Sequence, residues 1–110
     1  MPIYITRGNF TAETIKRMMA KPEDRSEAIG KFMSAAGGKL HAYYYTFGEY
    51  DFMIIGEAPS EKEAMAAGIV SAGTGSVTNL NTTVAVTSAD AKAIFAKAGS
   101  LAAQFRPAGT

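Results

Sequence analysis

The segment HAYYYTFGEYDFMIIGEAP, residues 41–59, contains two short β-rich runs on either side of Gly48 and Glu49. Runs rich in tyrosine, phenylalanine and isoleucine that flank a glycine-containing pair are typical of a β-hairpin. Glycine at the first central position favours a type II′ turn, which requires a positive φ at that residue. The segment therefore predicts strands over residues 39–47 and 50–57, with Phe47 opposite Tyr50.

This hairpin register predicts two chemically different faces, because successive side chains of a strand point to opposite sides of the sheet. One face is aromatic and consists of His41, Tyr43, Tyr45, Phe47, Tyr50, Phe52 and Ile54. The other is mostly aliphatic and consists of Leu40, Ala42, Tyr44, Thr46, Asp51, Met53, Ile55 and Glu57. Helices pack well on an aliphatic pleated surface, so we expect the helices on the second face and the aromatic set on the open face.

The regions on either side of the hairpin extend it to a complete fold. Residues 3–7 are β-rich, residues 11–36 have helical spacing interrupted before Pro22, residues 60–72 form an amphipathic helix, and residues 77–87 are rich in threonine and valine. The order βαββαβ with right-handed crossovers predicts an α+β, ferredoxin-like fold: a four-stranded antiparallel sheet in the order 4-1-3-2, with the helices on one face. We expect one domain over residues 1–99, including a short helix from residue 88, and a partly ordered tail over residues 100–110.

Composition excludes several classes of function. The chain has 110 residues, of which 47% are hydrophobic, and its 11 basic and 10 acidic side chains are interspersed. This balance argues against nucleic-acid and membrane partners. With no cysteine and one histidine, we expect no metal site and no cofactor. Met1 and Pro2 lead directly into a predicted strand instead of a secretory leader, so we expect a cytoplasmic location.

An open sheet face with five aromatic rings is too apolar to remain in water, since large apolar patches mark interfaces or ligand grooves. We therefore expect a homodimer in which two sheets face each other as a dimeric α+β barrel, and higher oligomers are left open.

The hairpin also resembles a known family. The stretch from Tyr45 to Asp51, followed by Glu57, Ala58 and Pro59, is similar to the GYD-domain family, whose naming residues correspond here to Gly48, Tyr50 and Asp51. The resemblance covers roughly residues 3–87 and implies a ferredoxin-like dimeric barrel. It implies no particular activity, because the family is largely uncharacterised.

The candidate ligand-binding residues lie in the hairpin and in the second helical segment: His41, Tyr43, Tyr45, Tyr50, Asp51 and Arg25. His41 is the natural proton carrier near neutral pH. Asp51 is either a functional carboxylate or a local hydrogen-bond acceptor that holds the hairpin. Arg25 either neutralises an anionic ligand or forms surface ion pairs with neighbouring acids.

Three functions are compatible with these residues. The first is a noncatalytic dimeric barrel that binds a small aromatic or amphipathic molecule. The second is a cofactor-independent isomerase or monooxygenase in which His41 or Asp51 moves a proton. The third is a structural or assembly protein without a ligand. The sequence does not decide whether the protein is an enzyme.

Overall fold

The computed structural model describes residues 1–110 and contains four strands and four α-helices. The elements in chain order are β1 (Ile3–Phe10), α1 (Ala12–Ala20), α2 (Ser26–Ala35), β2 (Lys39–Tyr45), β3 (Phe52–Glu57), α3 (Glu61–Gly73), β4 (Val77–Ala85) and α4 (Ser88–Leu101). The strands form one antiparallel sheet in the order β2-β3-β1-β4. The predicted α+β, ferredoxin-like topology is confirmed.

The helices begin at side chains that accept hydrogen bonds from otherwise unpaired amides of the first turn. Thr11, Ser60 and Thr87 serve α1, α3 and α4 in this way. Helix α2 begins at Ser26, beyond Pro22, because the Oδ1 of Asp24 accepts a hydrogen bond from the amide of Ser26 at 2.9 Å. The break in residues 21–25 confirms that the first helical region has two segments.

The loop of the β2–β3 hairpin differs from the predicted type II′ turn. The positive φ of 47° belongs to Phe47, whereas Gly48 has no positive φ. The Thr46 hydroxyl donates to the carbonyl of Tyr50 at 2.6 Å. The amide of Asp51 donates to Gly8 in β1 at 2.8 Å. The expectation for Gly48 is wrong because these contacts, and not a tight turn, shape the loop.

The strands end before the loop, at Tyr45 and Phe52, so the predicted pair of Phe47 with Tyr50 is not formed. The predicted register is confirmed between these ends and Ala42, and it fails at the far end of the hairpin. Tyr45 pairs with Phe52 and Ala42 pairs with Ile55, as predicted, but the next pair is Leu40 with Gly56. His41 is therefore the extra residue of a β-bulge, and its predicted pairing with Gly56 is wrong. A bulge leaves one residue unpaired and changes the direction of its side chain.

The aromatic face of the sheet meets the helices, which reverses the predicted assignment. A Cβ atom on Gly56 would lie 2.1 Å from the Cε of Met33 in α2, so this side of β3 lies against that helix. Phe52 and Ile54 alternate with Met53 and share the face of Gly56. The expectation was wrong because bare backbone at Gly56 lets α2 approach the aromatic side.

The opposite face of the sheet is uncovered and mostly aliphatic. Its central part contains Ile5, Met53 and Ile55, which are half-buried among their neighbours, and Tyr44, which is 60% exposed. Arg7 lies among these residues, and its Nε atom is buried without a hydrogen-bond partner. This uncovered surface, defined by Ile5, Arg7, Tyr44, Met53 and Ile55, is called the open face below.

Helix α4 projects away from the rest of the domain. Every residue of the helix is exposed except Ala91, which is half-buried. The radius of gyration is 17.6 Å, whereas a compact domain of about 100 residues has about 13 Å. None of the helices combines the length and the apolar character needed to cross a bilayer.

We expect Gly38→Ala to destabilise the fold far more than Gly48→Ala. A Cβ on Gly38 would lie 2.1 Å from the carbonyl oxygen of Glu57, whereas a Cβ on Gly48 would meet nothing within 4 Å. Overpacking of this kind costs about 1–3 kcal/mol, and substitutions at open positions change stability by about 0.5 kcal/mol or less. Urea unfolding of both variants measures the difference; equal midpoints would contradict the close approach at Gly38.

Candidate functional site

A cavity of about 920 Å³, partly open to solvent, lies between the aromatic side of the sheet and the helices. Of the 33 residues that line it, 18 are hydrophobic, so its walls are mainly apolar. Ligand pockets typically have volumes of about 300–1,000 Å³. The cavity is therefore of a size that accommodates a small molecule.

The floor of the cavity is an aromatic cluster contributed by three strands. Phe10 and Phe52 have ring centroids 5.0 Å apart, and Tyr45 meets Phe10 edge to face at 5.7 Å. Tyr43 and Tyr45, two residues apart on β2, also make an edge-to-face contact at 5.2 Å. The two edge-to-face contacts of Tyr45 match a preferred geometry of aromatic pairs, in which the positive edge of one ring meets the negative face of another, whereas Phe10 and Phe52 are tilted by 34°.

One end of the cavity carries polar groups from α2 and β2. Arg25, at the N-terminus of α2, lines the cavity together with Tyr43 and Tyr45. The Nη1 of Arg25 pairs with Glu23 at 3.2 Å, but both side chains are partly exposed, so water screens this pair. Three of the residues proposed from the sequence therefore meet in one place.

The hydroxyl of Tyr43 is a neutral hydrogen-bond donor at this end. Burial raises the pKa of Tyr43 well above its ordinary range, and the neighbouring Tyr45 raises it further. Arg25 acts in the opposite direction and favours the phenolate, but its contribution to the pKa is the smallest. Tyr43 consequently keeps its proton at physiological pH.

Asp51 has a structural role in the loop. Its Oδ2 accepts a hydrogen bond from the amide of Phe10 at 2.9 Å, and its own amide donates to Gly8 at 2.8 Å. Both bonds attach the hairpin loop to the end of β1. Of the two roles that the sequence left open for Asp51, the geometry favours the local one.

His41 and Tyr50 do not line the cavity. The Nε2 of His41 lies 3.2 Å from the Oε1 of Glu57 at the outer end of the hairpin. The carbonyl of Tyr50 accepts hydrogen bonds from Gly48 and Thr46 within the loop. The bulge explains why His41 does not join Tyr43 and Tyr45, which the uninterrupted register had placed beside it.

Sequence reasoning missed most of the cavity wall, including Phe10, Thr14 and Arg17. Thr14 is 9% exposed, and its hydroxyl accepts from the Nη2 of Arg17 at 3.2 Å. Thr14 and Arg17 are three residues apart, so they lie on one side of α1. This spacing was the sequence feature that could have indicated that they share a wall of the cavity. No group of three or more histidine, aspartate or glutamate side chains converges on a common point in the chain.

The model of the GYD-domain family matches residues 4–95. The chain belongs to the GYD-domain family. The match contains the hairpin loop with Gly48, Tyr50 and Asp51, and it extends beyond residue 87 into α4. In this GYD-domain protein, the aspartate of the motif connects the loop to β1.

Comparison with solved structures finds weakly similar folds, among them the following two. The crystal structure of FFRP-DM1 has a TM-score of 0.45 and 17% identity, covering 78% of this chain and 100% of that chain. The hypothetical protein PHS023 from Pyrococcus horikoshii also has a TM-score of 0.45 and 17% identity, covering 79% of this chain and 92% of its own. No curated protein matches the sequence significantly.

We expect Asp51→Ala to lower the free energy of unfolding by about 1–3 kcal/mol, because it leaves the partly buried amide of Phe10 without an acceptor. Asp51→Asn retains a carbonyl oxygen and should cost clearly less. Denaturant unfolding of both variants measures the difference. An Asp51→Ala protein as stable as the parent would contradict the structural role.

Proposed function

We propose that this GYD-domain protein binds a small molecule in the cavity between its sheet and its helices, and that it does so as a noncatalytic, cytoplasmic homodimer. The observation that carries the proposal is the cavity of about 920 Å³ in a chain of 110 residues. The cavity is partly open to solvent, and 18 of its 33 lining residues are hydrophobic. Apolar surface of this kind usually marks a ligand groove or an interface, which supports an occupant.

The lining favours an aromatic or amphipathic ligand with an anionic group. The rings of Phe10, Tyr45 and Phe52 offer a surface for stacking. At one end, Tyr43 offers a hydroxyl donor and Arg25 offers a positive charge. Because the Arg25–Glu23 pair is partly exposed and contributes little, Arg25 can exchange this partner for a ligand carboxylate at small cost.

Binding is better supported than proton-transfer catalysis. An isomerase or monooxygenase of the type considered above would rely on His41 or Asp51. His41 does not line the cavity, and Asp51 is engaged by the amide of Phe10. Neither residue is part of the cavity lining, although His41 pairs with Glu57, which is part of it.

The homodimer in this proposal uses the open face. Ile5, Met53 and Ile55 form its centre, and Tyr44 is 60% exposed at its side. Contiguous apolar surfaces of this kind usually mark an interaction site. A second copy placed sheet to sheet would cover this surface without closing the cavity, which lies on the other side of each sheet.

We expect Ala67→Leu to weaken binding of the fluorescent anion anilinonaphthalene sulfonate on the order of tenfold, equivalent to about 1.4 kcal/mol. Ala67 lines the cavity, so leucine would occupy ligand space, whereas the matched control Ala66→Leu changes an exposed position on the same helix. Arg25→Gln should weaken binding of this anion but leave binding of the neutral dye Nile red unchanged. Fluorescence titration of the folded proteins gives the affinities.

Equal affinities for the parent, Ala66→Leu and Ala67→Leu proteins would contradict the cavity as the binding site. An Arg25→Gln protein that binds both dyes like the parent would remove Arg25 from the site while leaving the cavity in place. Native mass spectrometry of the purified parent adds a direct test, because a copurified small molecule should be absent from the Ala67→Leu protein.

We expect the parent to sediment as a dimer at micromolar concentration and Ile55→Lys to shift the equilibrium toward monomer. A lysine at the centre of an apolar interface loses hydration without gaining a partner. Ala12→Lys, which adds the same charge at an exposed position of α1, is the control and should remain dimeric. A parent protein that is monomeric at every concentration would contradict the sheet-to-sheet dimer.

A further inference from the structure

Two helices carry apolar stripes that nothing in the single chain covers. On α3, Met65 and Ile69 are 65% and 69% exposed. On α4, Ile94, Phe95 and Leu101 are 52%, 76% and 53% exposed. These two surfaces are called the α3 outer stripe, which also includes Ala72, and the α4 stripe, which also includes Ala91 and Ala98.

Helix α3 is apolar on both of its sides. Ala64, Ala67 and Ser71 line the cavity, whereas Met65 and Ile69 point away from it. A surface helix normally has one apolar side, and a helix that is apolar all round is normally covered all round. The α3 outer stripe therefore indicates a second contact surface of the domain.

Helix α4 also has an apolar side that nothing in the chain covers. A free helix of 14 residues is only marginally stable in water and depends on packing of its apolar side. Its stripe follows the spacing 91, 94, 98, 101, and the α3 outer stripe follows the spacing 65, 69, 72. Alternating steps of three and four residues are the pattern of a helix–helix seam.

We propose that α4 of one chain packs along the α3 outer stripe of a second copy of the chain. In the single chain α4 projects outward and is almost fully exposed, so both stripes are available to another molecule. The exposed small residues Ala66, Ala72 and Gly73 on α3 leave space for the ring of Phe95.

The charges of the two helices favour this pairing over a pairing of α4 with another α4. Helix α3 has two glutamates and one lysine, a formal charge of −1. Helix α4 has one aspartate and two lysines, a formal charge of +1. Two α4 helices would bring like charges together, whereas α3 and α4 attract each other.

Cysteine cross-linking tests the contact directly, because the natural chain contains no cysteine. An Ile69→Cys protein and an isotopically labelled Ile94→Cys protein are mixed and mildly oxidised, and the labelled–unlabelled disulfide dimer is measured by mass spectrometry. We expect a yield roughly tenfold or more above that of Ile69→Cys mixed with Ala96→Cys, since a packed pair holds its thiols at high effective concentration. Ala96 lies on the side of α4 opposite the stripe and is the matched control.

Three outcomes would overturn the proposal. A yield equal to that of the Ala96→Cys control would show no stripe-to-stripe contact. Closure of the disulfide within a single chain that carries both Ile69→Cys and Ile94→Cys, at high dilution, would assign α4 to its own α3. A larger yield from Ile94→Cys alone would assign α4 to another α4. The readout uses neither a ligand nor an open-face residue, so its failure is distinguishable from failure of the proposed function.

Discussion

The contact between Phe52 and the bare backbone of Gly8 is the constraint on which the rest of the structure depends. Phe52 is 3% exposed, and a Cβ on Gly8 would lie 2.8 Å from its ring and 2.9 Å from Leu80. Glycine at this position therefore lets the ring of Phe52 in β3 lie across β1 and contact Leu80 in β4. Because Phe52 points toward the helices, Tyr43 and Tyr45 point there as well, and the cavity acquires an aromatic floor.

The β-bulge at His41 separates two groups of side chains that an uninterrupted strand would have combined. Tyr43 and Tyr45 line the cavity with Arg25, whereas His41 is not part of the lining and pairs with Glu57 at its edge. The site thus has a neutral phenol and a guanidinium, groups able to bind and orient an anion, and it also contains the carboxylates of Glu23, Glu57 and Glu63. The phenol and the guanidinium support the proposed binding function.

The three apolar surfaces of the chain lie on different parts of the domain. The cavity lies between the sheet and the helices of one chain and is partly open to solvent. The open face lies on the opposite side of the sheet, and the stripes of α3 and α4 lie outside both. Sheet-to-sheet association and exchange of α4 are therefore separate contacts that do not compete for residues. Together they would cover six large apolar side chains that a single chain exposes, namely Tyr44, Met65, Ile69, Ile94, Phe95 and Leu101.

The sequence by itself determined the order of the elements, the α+β class, the strand order and the pairing of residues 42–45 with residues 52–55. These features follow from local spacing, from helix-capping side chains and from the general handedness of crossovers. It also singled out Arg25, Tyr43 and Tyr45, because arginine and clustered tyrosines are recognisable by type. Only the tertiary structure decided which face meets the helices, where the bulge lies and that Phe47 carries the positive φ. Each of these depends on contacts between residues far apart in the chain, such as Met33 with Gly56 and Asp51 with Phe10, and no local pattern records them.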